Sequence, residues 1–123
     1  MKDLFPVMIG GALGAGARWL VSGAMFAWTG PGFPWGTLLV NIGGGLAMGL
    51  VAGGVAHSAG DAPWRLFLAV GVLGGFTTFS AFGLEVWTLL ERGEALAAAS
   101  YMLASVVGAV AATGLGLALV RAA

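Results

Sequence analysis

The residues able to do chemistry in this chain are few, and almost all of them sit inside apolar runs. Cysteine is absent and His57 is the only histidine, which excludes thiol catalysis, disulfide frameworks and a histidine metal cluster. Arg18 stands alone in the first apolar run. A mid-span arginine costs about 2.5 to 3.5 kcal/mol on insertion scales. Arg18 therefore either bonds the carbonyls of a neighbouring helix as a scaffold element or places an anion-attracting charge in a wet vestibule. Thr37 and Asn41 lie one helical turn apart and share a face. Asn41 offers two donors and an acceptor, which serve either as glue between helices or as the lining of a path for a small anion.

The stretch 71–83 is the most unusual: Gly74 and Gly75, then Phe76, Thr77, Thr78, Phe79, Ser80, Ala81 and Phe82. Paired glycines and adjacent β-branched threonines weaken a regular helix, so an interruption is expected near mid-depth. The carbonyls so released must face protein, water or an ion rather than lipid. Glu85, the nearest carboxylate, is roughly 12 Å from Thr77 along a helix. Carbonyl oxygens without a carboxylate suit a monovalent cation better than Ca²⁺ or Mg²⁺. The plainer account is a glycine-rich packing kink. Phe79 and Phe82, three apart, share a face of the half that follows. Such a pair is ordinary core or lipid contact, but phenyl edges carry positive potential and stabilise an anion without gripping it. Flanking hydroxyls of Thr77, Thr78 and Ser80 add donors. Tyr101, Ser105 and Thr113 form a loose polar track, although serine and threonine can also bond within their own helix.

The elements that must position these residues follow from composition. With 123 residues, 59% hydrophobic and 8% charged, and a mean hydropathy of +1.00, the chain is too apolar for a water-soluble domain of its size. An all-α transmembrane fold is expected, one membrane domain over 1–123 with spans at about 4–28, 35–57, 64–90 and 95–120. Breaks fall at Thr29-Gly30-Pro31-Gly32-Phe33-Pro34, at the polar run 58–63, and at Glu91-Arg92-Gly93-Glu94. Trp28, Trp35, Trp64 and Trp87 lie near the span ends, where the headgroup layer favours amphipathic rings. Lys2, an apolar run and Ala15-Gly16-Ala17 imitate a signal peptide, but apolar character resumes after Arg18, as expected of one full-length span. Five basic and five acidic residues give zero net charge, so no basic field exists and nucleic-acid binding is excluded. Lys2, Arg65 and Arg121 on the terminal side against Arg92 on the other leave only a small orientation bias.

Three motifs together resemble the Fluc (CrcB) family of bacterial fluoride channels: Gly10-Gly11-Ala12-Leu13-Gly14-Ala15-Gly16-Ala17-Arg18, Gly36-Thr37-Leu38-Leu39-Val40-Asn41-Ile42-Gly43, and Gly74-Gly75-Phe76-Thr77-Thr78-Phe79-Ser80. The resemblance covers essentially the whole chain. It implies an antiparallel, dual-topology homodimer, in some members a heterodimer, of four-helix subunits whose third helix is broken. Such a dimer sits in the bacterial plasma (inner) membrane as a multi-pass protein. It exports fluoride passively from the cytoplasm through two pores at the dimer interface, reducing fluoride toxicity, with no catalysis. Carried onto this chain, the resemblance makes the backbone carbonyls of Gly74 and Thr77 ligands of a structural Na⁺ shared between subunits. It makes Phe79 and Phe82 the pore phenylalanines, Asn41 the pore amide donor, and Tyr101, Ser105 and Thr113 a polar track, with Thr37 and Ser80 as further pathway candidates and Arg18 as vestibule or scaffold. Ala81 and Ala109 depart from the hydroxyl pattern of the family.

A small proton-coupled multidrug exporter shares the length and the four spans. Such exporters need a membrane-embedded carboxylate, whereas here the first span has no Asp or Glu after Asp3 and Glu85 lies toward a helix end. A structural membrane subunit without transport is the remaining class.

Overall fold

The computed structural model describes residues 2–56 and 63–123, and the polar turn expected at 58–63 therefore lies, apart from Pro63, outside the described residues. Helix α1 (Leu4–Thr29) stops where Gly30 turns its N–H back onto the Phe26 carbonyl at 2.8 Å. The Pro31-Gly32-Phe33-Pro34 linker cannot continue it. Helix α2 (Trp35–Ala56) follows. The third span opens with the α-turn α3 (Pro63–Arg65), widens into a π-helix at Leu66–Leu73 and returns to a single turn, α4 (Gly74–Phe76). Thr77 is then extended, with ψ 155°, and helical winding resumes at α5 (Ser80–Glu91). A tight turn through Gly93 leads into α6 (Ala95–Ala122).

Four segments are long and apolar enough to cross a membrane: Leu4–Thr29, Trp35–Val55, Pro63–Glu91 and Ala95–Ala122. The described residues contain no strand. Four end points move outward by one or two residues from the sequence expectation, to Thr29, Pro63, Glu91 and Ala122.

Helix α2 packs mainly along α6, and α1 mainly along the π-helix and α4. Both seams bring backbones together. A Cβ on Gly49 would overlap the Thr113 carbonyl oxygen, and one on Gly14 would overlap that of Val72. With lipid as apolar as leucine, such close approach replaces the hydrophobic effect as the source of cohesion between helices. The side-chain core is accordingly small, an assembly of Leu38, Phe82, Leu89, Ala98 and Tyr101 where α2, α5 and α6 meet. Large apolar side chains point outward instead, with Trp28 and Leu96 each 83% exposed.

At the α1–α2 end, Arg92 donates from Nη1 to the Pro31 carbonyl at 3.3 Å and from Nη2 to that of Gly32 at 2.6 Å. It also pairs with Glu94 at 2.6 Å. This fastens the α1–α2 linker to the α5–α6 turn, so both lie on one side of the bundle.

Gly49→Val and Gly14→Val are expected to lower the thermal midpoint of the protein in detergent, each by the equivalent of about 1–3 kcal/mol of overpacking. Gly16→Ala, where a Cβ meets nothing within 4 Å, is expected to leave it unchanged.

Candidate functional site

The site grows from the lapse in winding at 77–79. Thr77 keeps its N–H on the Leu73 carbonyl at 3.0 Å and adds its hydroxyl to the same oxygen at 2.9 Å. Two donors farther along are diverted. The Thr78 N–H, which a continuous helix would give to Gly74, donates to Asn41 Oδ1 at 2.9 Å. The Ala81 N–H, which would go to Thr77, donates to the Thr78 hydroxyl at 3.3 Å, capping the first turn of α5. Asn41 completes the exchange, its Nδ2 donating to the Thr78 carbonyl at 2.9 Å. On the α1 side, Arg18 Nε donates to the Gly75 carbonyl at 3.2 Å.

A second cluster surrounds Glu85. Its Oε1 accepts from the Thr37 hydroxyl at 2.7 Å and its Oε2 from the Tyr101 hydroxyl at 3.2 Å. A half-buried carboxylate inside a span is costly unless held in this way. Glu85 and Arg18 thus have separate partners rather than each other.

Two cavities flank these clusters. The larger, about 520 Å³, is lined by Asn41, Gly74, Thr77, Thr78, Phe79, Phe82, Ser105 and Thr113 together with apolar groups, and carries no ionisable side chain. The smaller, about 310 Å³, lies under the α1–α2 linker and includes Thr37, Glu85 and Arg92. Tyr101 is fully buried between them: its ring lies 5.2 Å from that of Phe82, on the larger cavity, and its hydroxyl reaches Glu85, on the smaller.

Seven of the residues singled out in the sequence, Asn41, Gly74, Thr77, Phe79, Phe82, Ser105 and Thr113, thus come together on one cavity. The two phenyl rings touch, with centroids 5.4 Å apart, but differ sharply in exposure, Phe82 at 8% and Phe79 at 80%. Thr113 spends its hydroxyl on the Gly45 and Ala109 carbonyls, at 3.0 and 2.9 Å. The Ser105 hydroxyl is different, buried at 6% exposure with no partner among the described residues. Such a group ordinarily implies an unseen water or ion. Thr37 lines the smaller cavity, while Ser80 is exposed on the wall of neither and Arg18 likewise lines neither. Sequence reasoning underrated Glu85, because its distance from Thr77 along one helix says nothing of Thr37 and Tyr101 on two others. The rarity of a carboxylate within a span was the available signal.

A family model described as CrcB-like protein, Camphor Resistance (CrcB), matches residues 5–117. The chain belongs to this family. Among CrcB relatives, a protein of Sphingopyxis alaskensis named fluoride-specific ion channel FluC is 60% identical over 122 residues, covering 98% of this chain and 97% of its own. Proteins of the same name from Phenylobacterium zucineum and Rhodospirillum centenum are 53% and 50% identical over 123 and 124 residues. They cover 98% and 100% of this chain, and 97% and 98% of their own. The CrcB match takes in all three motifs and the whole of the larger cavity. With four membrane-capable helices, this CrcB chain is a multi-pass membrane protein.

Two substitutions separate an unpaired hydroxyl from a paired one. Ser105→Ala removes a hydroxyl that bonds nothing in the protein, so its thermal midpoint is expected to stay within the equivalent of about 0.5 kcal/mol of the parent. Thr37→Val strips Glu85 of its shorter hydrogen bond and is expected to cost about 1–3 kcal/mol, read as a lowered midpoint in detergent.

Proposed function

We propose that this chain is a fluoride-selective channel, not an enzyme, which lets fluoride leave the cytoplasm down its gradient. The observation that carries this reading is the larger cavity: neutral donors and phenyl rings, a buried hydroxyl without a partner, and no ionisable group. Its chemistry suits a small anion that must be dehydrated without being trapped. A cavity of fixed charge would bind too tightly for conduction, whereas amide, hydroxyl and ring-edge contacts replace a hydration shell and still let go. The relatives named as fluoride-specific channels, similar over nearly the full length, support the choice of ion. Fluoride enters cells as neutral HF and dissociates inside, so export runs downhill and needs no proton coupling.

On this reading the lapse in the third span is the functional break, and the working unit is an antiparallel homodimer in the bacterial inner membrane. Phe79, 80% exposed on the cavity that Phe82 closes from within, supports a face completed by a second copy. The near-balanced charge of the chain suits insertion in both orientations. Asn41, Phe79, Phe82, Ser105 and Thr113 then line the fluoride path, and Tyr101, Thr37 and Glu85 connect it to the smaller cavity. Ser80 joins the path where the two copies meet.

The carbonyls of Gly74 and Thr77 fit a structural Na⁺. The N–H groups that would serve these two oxygens in a continuous helix go instead to Asn41 and to the Thr78 hydroxyl. Among the described residues no cluster of His, Cys, Asp or Glu competes for a metal, and neutral oxygens favour a monovalent ion. A bound Na⁺ supplies fixed positive charge at the core of the assembly. Arg18, bonded to the Gly75 carbonyl, steadies the same segment from α1.

Purified protein in fluoride-loaded liposomes is expected to release fluoride rapidly and to retain chloride. Equal chloride release, or no fluoride release, overturns the assignment. Complete replacement of Na⁺ by a large organic cation is expected to abolish flux or dissociate the dimer, and unchanged flux with an intact dimer excludes the sodium site.

A further inference from the structure

Asn41 is the only asparagine in the chain, and glutamine is absent, so the protein holds a single side-chain carboxamide. Such a group ordinarily turns over about its last bond and exchanges its oxygen for its nitrogen. Here it meets both backbone groups of one residue: Oδ1 accepts from the Thr78 N–H and Nδ2 donates to the Thr78 carbonyl, each at 2.9 Å. A backbone N–H only donates and a carbonyl only accepts. A turned amide would therefore face donor with donor and acceptor with acceptor, and Thr78 itself, within an unwound segment, is half-buried. One hydrogen on Nδ2 remains, and among the described residues no protein acceptor takes it. The residue that carries it lines the larger cavity.

We propose that the Thr78 backbone fixes the polarity of Asn41, so that the cavity is offered an N–H donor and denied the amide oxygen. Thr78 is then a positioning residue acting through its main chain, and Asn41 a specificity-determining one. The asymmetry discriminates by sign of charge. An anion meets a donor aimed in advance, while a cation finds the acceptor oxygen already engaged. Thr78 performs this with atoms every residue except proline possesses, so its side chain is irrelevant to the clasp. The proposal rests on the reading of the cavity as a fluoride path.

The test uses the intact protein in lipid nanodiscs, with asparagine carrying nitrogen-15 on its side chain and threonine carrying carbon-13 at its carbonyl. One carboxamide gives one pair of proton resonances in the NMR spectrum. Without fluoride, a through-hydrogen-bond coupling is expected from Asn41 Nδ2 to the Thr78 carbonyl carbon, which only the orientation seen here can give. On addition of sodium fluoride one proton is expected to move and the other, on Thr78, to stay. A missing coupling, equal movement of both protons, or no movement in a preparation that conducts fluoride would each overturn the proposal. The orientation measurement needs no fluoride. A preparation that does not conduct thus defeats the channel reading, while the coupling still decides the clasp. Asn41→Asp keeps the acceptor for the Thr78 N–H but removes both donors, and is expected to slow fluoride efflux roughly tenfold or more. Efflux at the parent rate would contradict the donor role.

Discussion

Two hydrogen bonds between one side chain of α2 and the main chain of the third span hold the unwound segment at 77–79 in shape. In lipid an unwound peptide has no water to fall back on, and each orphaned group costs several kcal/mol. Asn41 removes that cost for Thr78 in both directions at once. Because the Thr78 N–H now belongs to Asn41, the Gly74 carbonyl loses its helical donor. Because the Thr78 hydroxyl caps Ala81, so does that of Thr77. The lapse in winding at 77–79 and the diverted donors are one event, and α5 follows it with Phe82 directed into the core and Phe79 outward.

The surroundings are built to keep that event rigid. Arg18 reaches the Gly75 carbonyl from α1 and Asn41 reaches Thr78 from α2, so the segment is gripped from two helices. The glycine seams let those helices come close enough for short side chains to reach. Farther along α5, Glu85 repeats the device in another form, a charged group in the span made tolerable by hydroxyls from α2 and α6. Polar contacts thus join helices at several depths, where an aqueous protein would rely on a broad apolar core.

Much of this was legible beforehand, and the remainder was hidden for identifiable reasons. The four spans stand out because hydropathy over twenty residues is a strong signal and because proline, glycine and charge mark the ends. The expectation that helical winding weakens near Thr77 follows from residue types, and the backbone of Thr77 has ψ 155°. The partner of Asn41 was not legible. It lies 37 positions away and consists of backbone atoms, which have the same identity in every residue. Ser80 was chosen for its hydroxyl, but exposure depends on which way the new helix turns as it leaves Phe79, and it turns Ser80 outward. The division of labour between Phe79 and Phe82 was equally invisible, since spacing shows a common face and not the packing of Tyr101 behind only one of them.

The π-helix at Leu66–Leu73 has a further meaning for the lineage of the chain. A ladder of i→i+5 bonds stows one residue more than regular winding needs, and such bulges recur beside functional sites. A descendant that loses one residue here can tighten the ladder instead of rotating everything downstream. Gly74, Thr78 and Phe82 would keep their angular phase relative to Asn41. Length variation in this span is thereby uncoupled from the geometry beyond it, which makes the segment an evolutionary expansion joint.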